Sequence, residues 1–472
     1  MVRNNMRDTN TFRIIVLSVI AALGGFLFGF DSGVINGTVD ALQAAFNSDA
    51  IGTGFNVASV LLGCAIGAFF GGMLADKIGR KYALIGTAIV FIASSWGAGI
   101  SSSSAEFVIY RLFGGLAIGA ASVLSPAYIS EIAPSNMRGG LISLQQLAIV
   151  IGLFFAFFSN YNLASIAGNA SAVLWWGFEA WRWMFWMGMI PAIVFLFLLL
   201  FIPESPRYLV AANKSEKATK VLATITKFEN AKKQVEEIRN TVLLERKPRF
   251  TDIINKKTNK IHIVVWIGIG LATLQTLTGI DVVFYYGAVL WQSAGFTEAD
   301  ALLTNVIIGA VNIIFTVIAI FLVDRIGRKP LLLVGGLGQA VMLGLMALLF
   351  TVNAKNATSG IEMGDTNGML LLIAAMGFIA FFALTWGPIM WVMLGEMFPN
   401  KFRGVALAIA GTFNWVANFL VNITFPVLLR NAGLGVSYGI YALFGIVAFV
   451  FVYYYVPETK GKTLEEISIE QE

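Results

Sequence analysis

Two ionisable residues lie inside apolar stretches, where a charge is costly, and they are the first candidates for chemistry. Asp31 lies in GFDSGVINGTV, about five residues before the end of the first long apolar run, and Arg111 lies in YRLFGGLAIG, about five residues into the fourth. At about 1.5 Å per residue, both side chains reach one depth if these runs are helices that cross a membrane. Because arginine stays protonated, Asp31 is the titratable partner. If a conformational change breaks this pair, Asp31 can take up or release a proton. The alternative is a permanent salt bridge with a structural role only.

Two charged motifs each occur twice, once in each half of the chain. GGMLADKIGRKY (71–82) returns as FLVDRIGRKPL (321–331), and SEIAPSNMRGG (130–140) returns as GEMFPNKFRGV (395–405). Glycine permits a very tight turn between two apolar runs, and the carboxylates and arginines can form an ion-pair cluster. We expect this cluster to close the inner face when intact and to break when that face opens; the alternative is charges that only solvate loops. Its members are Asp76, Arg80, Glu131 and Arg138 in the first half and Asp324, Arg328, Glu396 and Arg403 in the second.

The elements that must position these residues are membrane-spanning helices. Residues of the AVILMFWYC set make up 57% of the 472 residues, and charged residues only 12%, against roughly 25% in soluble domains. A run of about 20 apolar residues spans a bilayer. Twelve such runs are predicted, at 14–36, 55–75, 82–101, 106–130, 140–161, 182–202, 262–291, 300–323, 330–352, 367–394, 403–429 and 435–456. The first run is long and no cleavage-type site follows it, so we expect no removable signal peptide. Duplicated membrane halves are the architecture of secondary transporters.

The placement of lysine and arginine predicts the orientation of the chain. With both termini in the cytoplasm, the cationic residues on the inner side are Arg3, Arg7, Arg13, Lys77, Arg80, Lys81, Arg138, Arg325, Arg328, Lys329, Lys401, Arg403 and those of the central loop. Only Lys355, Arg430 and the boundary residue Arg182 remain outside, which is a strong positive-inside pattern. The net charge of +5 follows from this topology and needs no nucleic-acid partner. Cys64 is the only cysteine, so no disulfide framework and no thiolate metal cluster is expected.

One long polar stretch divides the chain into halves. We predict an N-terminal six-helix bundle at 1–203, a cytoplasmic linker at 204–261, a C-terminal six-helix bundle at 262–456 and a short cytoplasmic tail at 457–472. Apolar residues recur in the linker at helical spacing, namely Val221, Leu222, Ile225, Phe228, Val235, Ile238 and Val242. We therefore expect amphipathic helices with one face against the membrane domain. The linker either ties the halves together or regulates gating.

Two short sequences identify the family that the chain resembles. PESPRYL (203–209) ends the sixth run and PETKG (457–461) follows the twelfth. Together with both tight-turn motifs, they resemble the sugar porters of the major facilitator superfamily, over essentially the whole chain. The resemblance implies an all-α integral membrane protein with twelve transmembrane helices in two pseudo-symmetric six-helix bundles, a sugar site between the bundles and alternating access. Proton-coupled members carry an aspartate where this chain has Asp31, which implies symport.

The resemblance also implies which residues bind sugar. Amides would bind the hydroxyls, and an aromatic face would pack on the pyranose ring. The implied substrate-binding residues are Gln146, Gln275, Thr276, Asp281, Asn312, Trp391, Asn414 and Trp415. Tyr285 and Tyr286 resemble the outer gate of the family. Helices can break and expose backbone near the site at Gly279 and at Gly387-Pro388.

Four positions depart from the family pattern. Thr276 replaces the second glutamine of a pair, and Asp281 stands where the family usually has asparagine. Leu153 and Asn414 replace two glutamines of the bacterial xylose symporter. At both positions the residue of this chain resembles that of glucose carriers. Asp281 leaves three readings open: a hydrogen-bond acceptor for a sugar hydroxyl, a preference for an amino sugar, or a second proton site.

These features together predict a proton-coupled symporter that imports a monosaccharide, with a glucose-like hexose favoured, in a bacterial inner membrane. The alternatives are a facilitative carrier, which Asp31 speaks against, and a symporter of a pentose such as xylose or of a polyol such as inositol. An enzyme would need a metal cluster or an activated nucleophile, and the sequence has no Cys/His constellation. We therefore expect no enzymatic activity, no metal and no cofactor. The expected partners are the sugar, protons and the lipid bilayer, and the expected state is a monomer.

Overall fold

The computed structural model describes residues 10–134, 137–244, 250–255, 259–356, 365–399 and 402–460. The predicted cytoplasmic tail beyond residue 460, Arg3, Arg7 and Lys401 lie outside the described residues, and so does the side chain of Asp324. The α-helices of the described chain are α1 (Thr11–Asn36), α2 (Val39–Phe46), α3 (Ala50–Ile78), α4 (Arg80–Ile100), α5 (Ser104–Ile132), α6 (Arg138–Ala167), α7 (Ala180–Met187), α8 (Met189–Phe201), α9 (Pro206–Ala211), α10 (Ser215–Ala223), α11 (Phe228–Leu244), α12 (Ile263–Leu277), α13 (Ile280–Ser293), α14 (Glu298–Ile326), α15 (Arg328–Asn356), α16 (Asp365–Leu384), α17 (Trp386–Met397) and α18 (Arg403–Tyr455).

Two small hairpins and one 3-10 helix complete the described secondary structure. The strands β1 (Val173–Trp175) and β2 (Phe178–Glu179) pair antiparallel, and so do β3 (Ile254–Asn255) and β4 (Lys260–Ile261). The 3-10 helix covers Phe250–Ile253. The fold is therefore all-α in its membrane part, as predicted, with the short strands confined to loops.

The membrane part contains the twelve spans that the sequence predicts. Eleven helical segments of the described chain are long and apolar enough to cross a bilayer. The last of them, α18, is two spans, because Gly433 in its middle has a non-helical φ of 77° and ψ of 172°. Helices suit this composition, since a bilayer leaves backbone N–H and C=O groups no partner but each other.

Two spans that reach the centre of the molecule are broken helices. The seventh span breaks between α12 and α13 at Gly279, as predicted, and Gly279 has φ 78°. The tenth span breaks between α16 and α17 at Thr385, whose φ and ψ are −132° and −87°. The prediction had placed that break at Gly387-Pro388, two residues later. Pro388 instead lies in the first turn of α17, where the missing N–H of proline leaves no helix bond unmade.

The duplicated tight turns have nearly the same geometry. Gly79 joins α3 to α4 with φ 100°, and Gly327 joins α14 to α15 with φ 108°. Side chains disfavour these positive φ values, whereas glycine adopts them readily. Each glycine N–H also donates to the last turn of the preceding helix, to Ala75 O at 2.9 Å and to Val323 O at 3.3 Å. The repeated sequence therefore builds a repeated structure.

The two bundles, α1–α8 and α12–α18, meet along several helix pairs of the described chain. Contacts join α3 to α18, α6 to α14, and α13 to both α1 and α2. We call the side carrying Asn36 the outer side and the side carrying Gly79 the inner side, after the predicted orientation. At the outer side α3 approaches α18 so closely that a Cβ on Gly54 would lie 2.5 Å from the carbonyl oxygen of Ile423. The bundles are in backbone contact there.

The linker helices α9, α10 and α11 pack mainly on one another. Their shared core consists of Leu209, Val210, Ala218, Leu222, Ala231 and Val235. The expectation that one apolar face lies against the membrane domain is therefore wrong for most of these residues, because three short helices can bury their stripes against each other. Ile225 is the exception: it joins the core of the N-terminal bundle, and its carbonyl accepts from Asn10 N at 2.7 Å. Phe228 remains 52% exposed, and Val242 lies outside the described side chains.

Candidate functional site

A cavity lies between the two bundles, midway along the spans. It holds about 130 Å³ and is bounded by residues of α1, α6, α12, α13, α14, α16, α17 and α18. All eight residues implied for sugar binding line it, namely Gln146, Gln275, Thr276, Asp281, Asn312, Trp391, Asn414 and Trp415. Both broken spans reach this cavity, and their interruptions fall beside it. The fold thus brings together residues that are up to about 270 positions apart in the chain.

The C-terminal wall of the cavity is held by its own hydrogen bonds. The side-chain amide of Asn414 donates to Ala272 O at 2.8 Å, and its nitrogen lies 3.2 Å from Gln275 Oε1 and 3.1 Å from Thr276 Oγ1. Gln275 Nε2 donates in turn to Trp386 O at 2.8 Å, on the first residue after the break in the tenth span. Gln275 and Asn414 therefore fix helix ends as well as lining the cavity.

Other polar groups of the cavity remain available to a ligand. Gln146 makes no hydrogen bond within the described chain, and it lies on the wall formed by α6. Asn312 accepts weakly from Thr316 Oγ1 at 3.5 Å, which leaves its amide N–H groups unused within the same residues. Trp391 also lines the cavity, and 42% of its surface is exposed. Amide donors facing an aromatic surface suit a molecule with hydroxyls on a ring.

Asp281 lies at the N-terminus of α13, directly after the break at Gly279. Its carboxyl lies beside the side-chain amide of Asn418, and Asn418 Oδ1 accepts from Asn422 Nδ2 at 2.6 Å. The positive end of the helix dipole and the amide donor both favour a carboxylate at this position. The arrangement leaves all three readings of Asp281 open.

Asp31 and Arg111 meet in the middle of the N-terminal bundle, as their predicted depth requires. Arg111 Nη1 lies 2.5 Å from Asp31 Oδ1, and the arginine is only 1% exposed. The guanidinium also lies 5.7 Å from the ring centre of Phe185. Neither residue lines the cavity, but the neighbouring Ser32 does, and its hydroxyl lies 3.2 Å from that of Tyr285. The buried ion pair is thus one residue away from a cavity contact.

Hydrogen bonds join the two bundles on the outer side, around Asn36. Asn36 Nδ2 donates to Phe284 O at 2.9 Å, and Asn36 Oδ1 accepts from Ala288 N at 3.1 Å and from Asn305 Nδ2 at 2.8 Å. Tyr286 is buried nearby and donates its hydroxyl to Asn422 O at 2.8 Å. The predicted outer-gate tyrosines are therefore both buried, and the outer side is closed.

The charged motif of the first half forms a cluster at the inner side of the N-terminal bundle. Arg80 lies 3.1 Å from both Asp76 and Glu131. Glu204 of the PESPRYL sequence accepts from the backbone N–H groups of Arg80 at 2.9 Å and of Lys81 at 3.2 Å, so it caps α4. The hydroxyl of Ser205 bonds to Glu131. Arg138 points to the end of α5, where its Nη2 lies 3.4 Å from Ala133 O.

The second half repeats this cluster in the C-terminal bundle. Arg328 pairs with Glu396 at 2.9 Å, and Thr459 Oγ1 donates to Glu396 at 2.5 Å. Glu458 of the PETKG sequence accepts from Arg328 N at 3.1 Å and Lys329 N at 3.0 Å, so it caps α15 as Glu204 caps α4. Arg403 Nε donates to Phe398 O at 3.0 Å.

The ion pairs described here, Arg80 with Asp76 and Glu131 and Arg328 with Glu396, each link residues of a single bundle. A cluster that joins the two bundles when the inner face closes stays a prediction. Burial would raise the pKa of Glu458, but bonds from the N–H groups of Lys460, Arg328, Lys329 and Thr459 outweigh it and lower that pKa.

Several site residues were not predicted from the sequence. Glu204 and Glu458 were noticed only as family marks, although they stand at the same place after each bundle and could have been paired with the duplicated turns. Asn418 lies four residues after Asn414, on the same face of one helix, which is a usable signal. Asn36 and Asn305 carry no such signal, since their contact depends on how the bundles dock.

Comparison with known proteins agrees with this geometry. The family described as "Sugar (and other) transporter" matches residues 17–470. A curated "Glucose transport protein" of Synechocystis sp. is 46% identical over 96% of this chain and 97% of its own, and the D-xylose-proton symporter of Escherichia coli K12 is 38% identical over 97% and 96%. A solved inward-open structure of the xylose transporter XylE from E. coli superposes with a TM-score of 0.82 at 37% identity, over 97% of this chain and 100% of that one. Twelve spans in two bundles, a shared central cavity and these matches show that the chain belongs to the sugar porter family of the major facilitator superfamily.

Proposed function

We propose that this protein is a proton-coupled symporter that imports a monosaccharide, with a glucose-like hexose favoured, and that it works by alternating access. The observation that carries the proposal is the buried pair of Asp31 and Arg111, one residue away from a cavity residue, Ser32. Protonation of Asp31 removes the charge that holds Arg111, so binding of a proton and movement of α1 are coupled. A proton crossing a potential of about 100 mV releases about 2.3 kcal/mol, enough for roughly fifty-fold accumulation of a neutral solute.

A hexose fits the chemistry of the cavity. Gln146 and Asn312 supply amides, Asp281 supplies an acceptor, and Trp391 supplies an apolar face. Leu153 lines the cavity with an apolar side chain, and Asn414 lines it with an amide shorter than that of glutamine. These two residues favour glucose over xylose. The identity with a glucose transport protein over most of both chains supports this choice. A pentose such as xylose and a polyol such as inositol remain the alternatives.

The structure supports an inward-facing step of alternating access. The bundles are closed around Asn36 on the outer side, whereas Trp391 in the central cavity keeps 42% of its surface exposed. Opening to the other side would require the outer bonds to break and the inner ends to approach. We place the protein in a bacterial inner membrane with both termini in the cytoplasm, as the positive-inside pattern indicates.

A facilitative carrier is the second candidate. The observation in its favour is the close, nearly solvent-free contact of Arg111 with Asp31, which is also what a permanent structural salt bridge looks like. In that case the pair would hold α1 to α5 in every state, and sugar would only equilibrate.

Uptake by proteoliposomes separates the two candidates. Labelled glucose, xylose and galactose are offered with and without an imposed proton gradient. We expect concentrative uptake that a protonophore abolishes, with glucose ranked first. Equilibration that ignores the gradient would make the protein a facilitator, and no uptake of any of the three would direct attention to Asp281 and an amino sugar or polyol.

A further inference from the structure

An aspartate occurs at the same place in both halves of the chain. GFDSGVING (29–37) and GIDVVFYYG (279–287) have glycine, aspartate and glycine at identical spacing, so Asp281 is the duplicate of Asp31. Asp31 is only 6% exposed and does not line the central cavity. Asp281 does line it and is partly exposed to it. The duplicate therefore faces the space in which a ligand binds.

The second aspartate has no duplicated arginine beside it. Arg111, which pairs with the first aspartate, lies 20 positions before Glu131. The residue 20 positions before the duplicated Glu396 is Met376, which carries no charge. Among the described residues that line the central cavity, none is lysine, arginine or histidine. The cavity wall therefore contains an acid without a cationic partner on that wall.

The surroundings of Asp281 suit a carboxylate better than a protonated carboxyl. Its carboxyl lies beside the side-chain amide of Asn418. Asn422 Nδ2 donates to the backbone carbonyl of Asn418 at 2.9 Å and to Asn418 Oδ1 at 2.6 Å. Because that side-chain oxygen already accepts, the amide nitrogen of Asn418 is the group left for Asp281, and this nitrogen can only donate. A carboxylate thus finds a donor in Asn418, whereas a protonated carboxyl would find no free acceptor there.

A carboxylate in this position needs a cation. An isolated carboxylate in apolar surroundings is costly, so buried carboxylates are normally paired. Since the wall supplies no cation, the cation has to come from the solution that enters the cavity. An ammonium group is suited, because it donates charge-assisted hydrogen bonds to carboxylate oxygens. Tyr285, Trp391 and Trp415 also line the cavity, and the faces of aromatic rings attract ammonium groups.

We propose that the central cavity binds monosaccharides that carry a protonated amine, such as D-glucosamine, more tightly than the corresponding neutral hexose. The inference rests on the proposed function, because Gln146 and Asn312 would bind the hydroxyls of either sugar. The amine replaces one hydroxyl and lies against Asp281, so the loaded site carries no net charge. A potential of about 100 mV, negative inside, would accumulate such a cation roughly fifty-fold without a coupled proton.

The test measures the binding of three sugars to the full-length protein in detergent by calorimetric titration at neutral pH. The sugars are D-glucosamine, D-glucose and 2-deoxy-D-glucose, the last of which has no polar group where glucosamine carries its amine. We expect the wild type to bind glucosamine at least tenfold more tightly than either neutral sugar, and Asp281→Asn to lose this preference. Asparagine has nearly the shape of aspartate and keeps a carbonyl acceptor, so the charge is what the variant removes.

The matched control is Asn312→Ala, on another wall of the same cavity. Because an amide that binds hydroxyls does not distinguish the two sugars by charge, we expect this variant to weaken glucosamine and glucose by similar factors. Its ratio of the two affinities should equal that of the wild type. The melting temperatures of both variants show whether either change acts through folding.

The dependence on pH separates a bound amine from a bound proton, and it is measured in the Asp31→Asn background. The other titratable groups around Asp281 are Tyr285 on the same helix and Tyr441, which packs on Gly279. Phenol groups stay neutral between about pH 6 and about pH 9. Over this range the amine loses its proton, so we expect the affinity for glucosamine to fall as the pH rises. The affinity for glucose should stay constant.

Three results would overturn the inference. The first is a wild type that binds glucose as tightly as glucosamine. The second is a preference for glucosamine that survives Asp281→Asn. The third is glucose binding that tightens on acidification in Asp31→Asn but not in Asp31→Asn/Asp281→Asn, which would make Asp281 a proton site. A wild type that binds none of the three sugars would instead refute the proposed function itself, so the two failures are distinguishable.

Discussion

The side-chain amide of Asn305 donates to Asn36 Oδ1 at 2.8 Å, and this bond joins the two halves of the molecule across 269 positions of sequence. Asn36 is 1% exposed and also binds backbone groups at Phe284 and Ala288 on α13. One amide therefore links α1, α13 and α14 on the outer side. Because every bond of this set must break before that side opens, Asn36 is the residue whose loss should act most directly on the conformational equilibrium.

We expect Asn36→Ala to shift the protein toward its outward-facing state. The variant leaves several buried groups without partners on the closed side, at a cost of about 1–3 kcal/mol, or roughly five- to 150-fold in the equilibrium. The measurement is the labelling rate of Leu153→Cys by a membrane-impermeant thiol reagent added outside, in a Cys64→Ser background. The control is Asn162→Ala, because that amide donates only to its own helix, at Phe158 O. Equal labelling in Asn36→Ala and the control would remove Asn36 from the closure.

We expect Asp31→Asn to keep sugar exchange and to lose accumulation against a gradient. The amide has nearly the shape of the carboxyl but cannot carry a proton at any working pH, so accumulation should fall from roughly fifty-fold at about 100 mV to none. Counterflow of labelled glucose and gradient-driven uptake are measured on the same vesicles. Asp300→Asn serves as the control, since that exposed residue only bonds to Thr297 at the start of α14. Retained accumulation in Asp31→Asn would move the proton site elsewhere, first to Asp281.

Two adjacent glutamines on α6 provide a matched pair for the sugar site. Gln146 lines the central cavity, whereas Gln145 is buried against Gly25 and does not. We expect Gln146→Ala to weaken glucose binding at least tenfold, which corresponds to about 1.4 kcal/mol. Gln145→Leu should bind as the wild type does, because neither polar atom of Gln145 has a partner among the described residues and the change removes a buried amide. Calorimetric titration of both variants checks this, and the reverse ranking would displace Gln146 from the site.

Glu458→Gln should destabilise the C-terminal bundle by about 1 kcal/mol at neutral pH, a usual value for the loss of a helix cap. Its lowered folded pKa means that the charged carboxylate contributes stability above the unfolded pKa of 4.5 and loses that contribution as the pH falls through the folded value. Melting temperatures of the wild type and the variant should therefore differ at pH 7 and converge below pH 4.5. Glu204→Gln is the matched variant at the equivalent position of the other bundle. A difference that grows on acidification would contradict this assignment.

Local signals in the sequence were sufficient for most of the architecture. Apolar run length predicted the spans, and equal depth predicted that Asp31 and Arg111 meet, because a helix converts residue number directly into distance. The break at Gly279 was also predictable, since glycine readily adopts the positive φ found there. The tenth-span break was placed two residues late, because Pro388 marks the first turn of the following helix as readily as the end of the preceding one.

The sequence pattern alone could not predict contacts that depend on how the helices pack against one another. The family resemblance supplied the central cavity residues, yet it did not reveal that Asn414 and Gln275 bond to each other and to helix ends. The joint cluster of the charged motifs stays a prediction for the same reason. Ion-pair partners depend on which helix ends are adjacent, and the pairs described here lie within single bundles.

The bond from Gln275 Nε2 to Trp386 O ties the seventh span to the break in the tenth, and Asn414 adds the eleventh. The side-chain amides of Gln275 and Asn414 therefore already hold these spans together by hydrogen bonds in the absence of a ligand. Gln146 and Trp391, on the other hand, are held by no hydrogen bond within the described chain and can be exchanged without loosening a helix. Substrate preference can therefore change at such positions at little structural cost, whereas a change at Gln275 or Asn414 alters the bonds between spans as well as the cavity wall.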